Sequence, residues 1–221
     1  MCMSIFYRKL SELNGDLILK GKDLATIKQL TRILVIDDKE FSFLNALRTR
    51  EFNVQQKLDL THLTDVSEYD IILCDIRGVG KFLESEFEGA NLIKELKIKY
   101  PNKIILAYTA NDYDANFQKF LDYADDIIPK GSYDLEDWVD LLEDTLYKCA
   151  DPIAQWERTR DALLNADVST IDVAKYESQY VRAVKNGSFE SFKSLYGKSN
   201  NQGAQIMIEL TSSIIAKLIK K

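Results

Sequence analysis

Two adjacent carboxylates, Asp37 and Asp38, directly follow the short apolar run 33–36. A continuous apolar run that ends in polar residues predicts a strand buried on both faces of a parallel sheet. Ligands of open α/β sheets bind at the carboxyl ends of the strands, so this acidic pair stands where a site is expected. Two neighbouring carboxylates repel each other unless a cation separates them, which favours half of a divalent-metal site. The alternative, equally supported by this stretch alone, is that they cap the next helix.

Three more polar residues follow other predicted strands in the same way. Asp75 and Thr109 each end an apolar stretch, and Lys130 follows a third, shorter one. A parallel sheet gathers the carboxyl ends of its strands at one edge, so residues far apart in sequence can converge there. Singly, these residues have ordinary explanations as a helix cap, a strand-end hydroxyl and a surface charge. Together with the acidic pair they predict one site.

The residue types in this set suit phosphoryl chemistry. Three carboxylates form a hard oxygen site that matches Mg²⁺, which prefers carboxylates, water and phosphate oxygens. A carboxylate held against such a metal can attack a phosphoryl group and become an aspartyl phosphate. A lysine and a hydroxyl would then neutralise and orient the phosphoryl oxygens, since phosphoryl transfer depends mainly on positioning and charge stabilisation.

The elements that must position this set alternate between strand and helix from residue 31 to residue 149. Strands are predicted at 32–37, 52–58, 70–75, 103–108 and 126–128. Helices are predicted at 40–50, 61–67, 90–100, 113–121 and 134–148, the second of them short. This alternation predicts an α/β fold with a five-stranded, parallel, doubly wound sheet.

The segments on either side of this region are predicted to be helical. Residues 1–30 form an N-terminal extension with helical spacing at Ser4–Leu13 and Asp23–Leu30. Residues 150–221 form an all-α C-terminal domain, with helices predicted at 152–165, 168–186, 188–196 and 203–220. Their apolar residues recur every four positions, which is typical of the core of a helical bundle. A homodimer interface and a groove for a partner helix are the sharper alternatives.

Composition narrows the class of protein. The 221 residues are 46% hydrophobic and 29% charged, as in ordinary globular domains. The net charge is −6, and residues 1–150 carry the acidity with 19 basic and 27 acidic side chains, which argues against nucleic-acid binding. The three cysteines are widely spaced, and neither an 18-residue apolar run nor a signal peptide is found. We therefore expect a reduced, cytoplasmic protein without a membrane span.

Four short motifs lie at the predicted strand ends. They are Val-Ile-Asp-Asp at 35–38, Leu-Cys-Asp at 73–75, Ala-Tyr-Thr-Ala at 107–110 and Ala-Asp-Asp-Ile-Ile-Pro-Lys at 124–130. With these motifs, residues 31–149 resemble the receiver domain of bacterial two-component response regulators, which has a flavodoxin-like fold. The resemblance implies that Asp75 is the phosphoacceptor. The donor would be a phosphohistidine on a sensor histidine kinase or a phosphotransfer protein.

The resemblance also implies how the other residues act. Thr109 and Lys130 would contact the phosphoryl group, and Ala110 is small enough to leave the acceptor accessible.

The metal site implied by the resemblance takes Mg²⁺ as its cofactor. Asp38 would ligate the ion directly, Asp37 would act through its water shell, and Asp75 would belong to the same metal site. The backbone carbonyl of Arg77 would complete the protein ligands.

The sequence departs from the family on its output side. The family's lysine is usually followed by proline, whereas here Pro129 precedes Lys130 and Gly131 follows it. The aromatic switch residue three positions before the lysine is replaced by Ile127. The loop at 76–88 is longer than usual, and Glu84, Glu86 and Glu88 make it acidic. These departures put the usual readout of phosphorylation in question.

Three functions are compatible with this pattern, and none of them is an enzyme. The first is a phosphorylation-dependent signalling protein whose receiver controls a helical output, dimerisation or partner-binding domain. The second is an interaction scaffold that keeps the receiver fold without using phosphorylation, and the third is a DNA-binding response regulator. Other chemistry has little support, because His62 is the only histidine and no Walker motif occurs. An aspartyl phosphatase would need a second acid at position 77, where Arg77 stands.

Overall fold

The computed structural model describes residues 8–13, 23–110, 115–197 and 201–219. Within these ranges the chain divides into two compact units. One is Leu24–Cys149, here named the α/β unit, and the other combines residues of Met1–Asp23 and Ala150–Lys221, here named the helical unit. Among the described residues, no helix is both long and apolar enough to cross a membrane.

Among the described residues of the α/β unit, five strands form one sheet. They are β1 (Arg32–Ile36), β2 (Asn53–Lys57), β3 (Ile71–Asp75), β4 (Ile104–Thr109) and β5 (Asp126–Pro129). Their spatial order is β2-β1-β3-β4-β5, and every neighbouring pair is parallel. This order is the flavodoxin-like form of the doubly wound sheet, in which the crevice at the strand ends lies beside β1 and β3. The predicted fold class is confirmed.

Helices cover both faces of this sheet. They are α1 (Leu24–Leu30), α2 (Leu44–Thr49), α3 (Glu88–Lys99), α4 (Ala115–Leu121) and α5 (Leu135–Ala150). On one face, the core cluster joins strand residues such as Leu34 and Ile105 to Ile93 of α3 and Phe117 of α4. Strand β3 is buried along its whole length, as expected for a central strand covered on both faces.

The described residues of the helical unit form five α-helices. They are α6 (Pro152–Asn165), α7 (Thr170–Asn186), α8 (Glu190–Tyr196), α9 (Gln202–Glu209) and α10 (Ile214–Leu218). Asp151 caps α6 by accepting from the Ile153 amide at 2.8 Å, with Pro152 in the first turn. Gly187 ends α7 with a φ of 70°, the left-handed conformation common after helices.

The last predicted helix is broken in the structure. The stretch 203–220 was expected as one helix, but α9 passes into a 3₁₀ turn at Leu210–Ser212 and α10 starts afresh. Ser213 is extended, with φ −64° and ψ 160°, and its hydroxyl accepts from the Ala216 amide at 3.3 Å. A serine that caps a new helix competes with continuation of the old one, which the four-residue apolar spacing does not reveal.

The N-terminal extension is shared between the two units. Helix α1 realises the predicted helix at Asp23–Leu30 but belongs to the α/β unit, which thus begins at Leu24 instead of residue 31. Its buried Ile27 explains this, since an apolar side chain needs the sheet to cover it. Within the predicted helix Ser4–Leu13, the described residues form only a 3₁₀ turn at Leu10–Glu12, and residues 4–7 lie outside the described ranges.

The remaining predicted elements differ mainly at their ends. The short helix predicted at 61–67 is a 3₁₀ turn, Leu63–Val66. The helix predicted at 113–121 is described from Ala115 onward, and residues 113 and 114 lie outside the described ranges.

Candidate functional site

Three carboxylates meet at the carboxyl edge of the sheet. One side-chain oxygen from each of Asp37, Asp38 and Asp75 lies within 4.8 Å of the others. Asp75 is the last residue of β3, and Asp37 immediately follows β1, its neighbour in the sheet. Asp37 and Asp75 are buried, with only 3% and 6% of their surfaces exposed, whereas Asp38 is exposed. The cluster is thus covered by protein at Asp37 and Asp75 and open to solvent at Asp38.

Lys130 places its ammonium between the two buried carboxylates. Its Nζ lies 2.8 Å from Asp37 Oδ2 and 2.5 Å from Asp75 Oδ2. The backbone holds the residue in place, because the Lys130 amide donates to the carbonyl of Thr109 at 2.6 Å. This bond continues the pairing of β4 with β5 past the strand ends. Asp37 and Asp75, which lie 93 and 55 positions before Lys130 in the chain, therefore share its ammonium.

Burial and charge act in opposite directions on this ion pair. Burial raises the pKa of Asp75 above its usual value, and the bonds from Lys130 and from the Arg77 amide offset only part of that rise. Burial would lower the pKa of Lys130, but its bonds to Asp37 and Asp75 outweigh burial and raise that pKa. Lys130 is therefore firmly cationic, and Asp75 gives up its proton less readily than an exposed aspartate does.

Thr109 stands at the same edge as these groups. It ends β4 opposite Pro129 of β5, and only 1% of its surface is exposed. Its hydroxyl donates to the carbonyl of Ala110 at 3.1 Å. A phosphoryl oxygen at Asp75 would have to compete with that carbonyl for the hydroxyl proton.

Arg77 joins the site to helix α4. Its amide donates to Asp75 Oδ1 at 3.3 Å, and its exposed side chain lies over the ring of Phe117 at 4.2 Å. This separation lies within the range of a cation–π contact. The role of its backbone carbonyl as a metal ligand stays a prediction.

The loop after Asp75 is fixed by contacts that the sequence did not indicate. Gly78 donates its amide to Glu88 Oε2 at 2.9 Å, so this glutamate binds backbone and is not simply part of an acidic surface. Gly78 has a φ of 73°, and a Cβ there would lie 2.4 Å from Asp38 Oδ2. A Cβ on Gly89 would lie 1.9 Å from the backbone oxygen of Asp75. Both glycines allow the loop and α3 to approach the carboxylates closely.

A further acidic residue, which lies shortly after β2 in the chain, holds the same loop. Asp59 accepts from the amides of Leu60, Gly80 and Lys81 at 2.7, 2.6 and 3.2 Å. The extra length of the loop is therefore compact and bonded. The signals in the sequence were the glycines of Gly78-Val79-Gly80 and Gly89, which indicate close backbone approaches without identifying their partners.

An aromatic ring that the sequence did not single out lies beside the lysine. Lys130 Nζ lies 4.6 Å from the ring centroid of Tyr108, the residue paired with Asp75 across β3 and β4. Ile127, where the family carries its aromatic switch, is partly buried and packs into the core cluster on the α3 and α4 side. The aromatic side chain that faces the lysine is thus on β4, whereas position 127 of β5 is aliphatic.

The residues present fit a divalent cation. Three carboxylates bring three negative charges, and Lys130 brings one positive charge, which leaves a net charge of −2 in a partly buried pocket. All the side-chain donors are oxygens, the ligand type that Mg²⁺ and Ca²⁺ prefer. Asp37, Asp38 and Asp75 are the side chains that could hold the ion.

Solved structures that are similar to this chain include response regulators and their receiver domains. The response regulator receiver domain protein (CheY-like) from Methanospirillum hungatei JF-1 is 21% identical, with a TM-score of 0.43 over 53% of this chain and 94% of that one. A response regulator from Thermotoga maritima is 20% identical, with a TM-score of 0.42 over 52% and 97%. A response regulator protein from Burkholderia pseudomallei with a phosphorylated aspartic acid, calcium ion and citrate is 19% identical, with a TM-score of 0.41 over 70% and 92%.

The flavodoxin-like fold of the α/β unit, predicted from the alternation of strands and helices, is established for this chain by its own strand order. Neither the models of protein families nor the curated proteins give a match to the sequence.

Proposed function

We propose that this protein is a phosphorylation-dependent signalling protein of the two-component type, with Asp75 as phosphoacceptor. The observation that carries this proposal is the convergence of three carboxylates and Lys130 at the β1–β3 edge of the sheet. A partly buried lysine that bridges two buried carboxylates neutralises charge at the point where a phosphoryl group would add more. No enzymatic turnover is needed for this role, because the protein is itself the acceptor.

Asp75 is the nucleophile in this proposal. One of its carboxylate oxygens forms a bond to phosphorus while the bond from phosphorus to the donor breaks, and the donor keeps the electron pair. For a phosphohistidine donor the bond that breaks is P–N, and the imidazole nitrogen leaves. The attacking group must be the carboxylate, so the raised pKa of Asp75 favours reaction near neutral pH over reaction in acid.

The surrounding residues would stabilise the charge that develops. Lys130 Nζ already contacts Asp75 Oδ2 and is positioned to donate to a phosphoryl oxygen bound there. Thr109 would offer its hydroxyl from the end of β4. Mg²⁺ held by Asp37, Asp38 and Asp75, with the Arg77 carbonyl, would supply charge neutralisation on the phosphoryl oxygens.

The partners follow from this chemistry. The donor would be a sensor histidine kinase or a phosphotransfer protein carrying a phosphohistidine. The helical unit would serve as the output, either by dimerisation of its helices or by binding another protein.

Intact mass measurement tests the acceptor directly. The full chain is incubated with acetyl phosphate and Mg²⁺, and its mass is followed with time. We expect the gain of one phosphoryl group in the wild type and no gain in Asp75→Asn. A wild type that gains no mass, while a known receiver is modified in parallel, would contradict the proposal. A gain that persists in Asp75→Asn would place the acceptor elsewhere.

The packing of Ile127 favours a second candidate function. This residue lies against the core cluster, where a branched aliphatic side chain has no polar group to follow a phosphoryl signal. A receiver-fold scaffold that binds its partner regardless of phosphorylation would have no use for such a signal. Sedimentation of the full chain with and without beryllofluoride separates the two functions. A change in oligomeric state or in partner affinity would exclude the scaffold.

A further inference from the structure

Tyr108 lies next to the proposed phosphoacceptor in the sheet. Its Cα pairs with that of Asp75 across β3 and β4, and its ring faces the ammonium of Lys130 at 4.6 Å. A cation within about 6 Å of a ring centroid is attracted by the negative face of the ring. Lys130 is therefore held by three groups, of which two are carboxylates and one is this ring.

The ring of Tyr108 is itself fixed by two buried aromatic residues. Phe41 meets it edge-on at 5.7 Å, and Trp138 meets it edge-on at 5.5 Å. Phe41 and Trp138 contact each other at 5.3 Å, and each is almost completely buried. Edge-to-face packing of this kind stabilises one orientation of each ring. Tyr108 thus presents a rigid surface to the lysine.

The two carboxylate partners of Lys130 would change if the proposed site were used. Asp37 and Asp75 are the carboxylates that a divalent ion would engage, and Asp75 would lose a free oxygen to the phosphoryl group. The residue after the lysine gives no support, because Gly131 has a φ of 79° and nothing lies within 4 Å of the place where its Cβ would be. The ring of Tyr108 also contacts Lys130, and it has no oxygen among the carboxylates that a metal ion or a phosphoryl group would engage.

We propose that Tyr108 is a positioning residue that keeps the Lys130 ammonium at Asp75 while the carboxylates exchange partners. This inference rests on the proposed function, since it concerns the rate of phosphoryl acceptance by Asp75. The ring acts through its face and not through its hydroxyl, so phenylalanine should replace tyrosine while an aliphatic residue should not.

Rates of phosphorylation test this inference. The full-length wild type, Tyr108→Phe, Tyr108→Leu and Tyr133→Leu are each incubated with acetyl phosphate and Mg²⁺ and weighed intact with time. Tyr133 is the matched control, because its ring also packs on Trp138, at 5.4 Å. We expect Tyr108→Phe and Tyr133→Leu to react at nearly the wild-type rate. Tyr108→Leu should react about 3- to 30-fold more slowly, the range expected for a lost cation–π contact.

The possible results separate the two proposals. A wild type that is not modified contradicts the proposed function. A modified wild type with an equally fast Tyr108→Leu contradicts the positioning role alone, and so does an equal loss of rate in Tyr133→Leu.

A spectroscopic measurement keeps the inference testable if Tyr108→Leu does not fold. The Cε protons of Lys130, assigned by their loss in Lys130→Gln, should be shifted upfield by the ring in the wild type and in Tyr108→Phe. The shift should persist after Mg²⁺ is added and after Asp75 is phosphorylated. Lysine Cε protons at their ordinary position in the wild type would overturn the inference, whatever the phosphorylation rates are.

Discussion

The ammonium of Lys130 and the carboxylate of Asp75 lie 2.5 Å apart, although 55 positions separate the two residues in the chain. The same ammonium contacts Asp37, so it occupies an oxygen on each of the two buried carboxylates. A divalent cation at this place would compete with the lysine for the same carboxylates. In the absence of a metal ion, the Lys130 ammonium therefore neutralises the carboxylates that a divalent ion would bind.

Neutralising Lys130 should strengthen metal binding and weaken phosphoryl acceptance at the same time. In Lys130→Gln the carboxylates of Asp37 and Asp75 lose a nearby positive charge, so we expect Mg²⁺ to bind about 10-fold more tightly. Phosphorylation by acetyl phosphate should become much slower, because the developing charge loses its donor. Calorimetric titration and intact mass measure the two effects.

Lys130→Arg is the control for the lysine prediction, since it keeps the charge. Its Mg²⁺ affinity should stay near that of the wild type. Weaker metal binding in Lys130→Gln would show that the lysine organises the carboxylates and does not compete for them.

Gly78→Ala should disturb the metal site, whereas Gly131→Ala should not. Both glycines have positive φ, so each substitution should lower the free energy of unfolding by about 1–2 kcal/mol. Only at Gly78 would the new Cβ collide with the Asp38 carboxylate, so only this variant should lose Mg²⁺ affinity, by about 10-fold or more. Denaturant unfolding and Mg²⁺ titration of both variants check the difference. Equal metal affinities would mean that Asp38 is free to move aside.

The raised pKa of Asp75 predicts a pH-dependent difference in stability. A carboxyl whose pKa is higher in the folded state than its usual 3.8 binds its proton more tightly when folded. The protonated carboxyl of Asp75 therefore stabilises the folded state at low pH, and this stabilisation is lost as the pH rises from 3.8 through the pKa of the folded state. Asp75→Asn cannot ionise, so its Tm relative to the wild type should rise across this window and level off towards neutral pH.

Thermal unfolding in metal-free buffer between pH 3 and pH 7 measures this difference. Excess EDTA removes divalent ions, which would otherwise stabilise the ionised wild type. A wild type that gains stability over Asp75→Asn as the pH rises would show that Lys130 outweighs the cost of burying the charge.

Glu177 should be important for the stability of the helical unit. Its carboxylate accepts from the buried indole of Trp156 at 2.9 Å and from the amide of Leu10 at 3.1 Å. Glu177→Ala leaves the Trp156 N–H without its acceptor, so we expect a loss of about 2 kcal/mol in the free energy of unfolding. Glu157→Ala, on the exposed side of α6, should change it by less than about 0.5 kcal/mol. Urea unfolding followed by helical circular dichroism compares the two.

Much of the α/β unit could be predicted from the sequence because its central strands are buried on both faces. Strand β3 was predicted at 70–75 and spans Ile71–Asp75, since a continuous apolar run has few alternatives. The end of the last helix was harder to predict. Ser213 interrupts an apolar stripe that continues on both sides of it, and a serine within a helical pattern does not indicate by itself that it is a cap.

The candidate site could be predicted where polar residues follow strands. Asp37, Asp75 and Lys130 fall at strand ends, and sheet geometry brings such positions together. Glu88 and Tyr108 could not be found in this way. Glu88 acts on a backbone amide within an aperiodic loop, and Tyr108 has a residue type that any half-buried strand accepts.

The division of the chain into units has a consequence for the order of folding. Leu24–Cys149 is continuous in sequence, so the α/β unit can complete its sheet as soon as these residues leave the ribosome. Residues 8–13 are made earlier but must wait for α7, where Ser178 accepts from the Arg8 amide at 2.9 Å and Lys185 pairs with Glu12 at 2.6 Å. Pairing residues 8–13 with α7 therefore closes a long loop of chain that contains the whole α/β unit. The entropic cost of closing this loop is offset only late in synthesis, when α7 has been made.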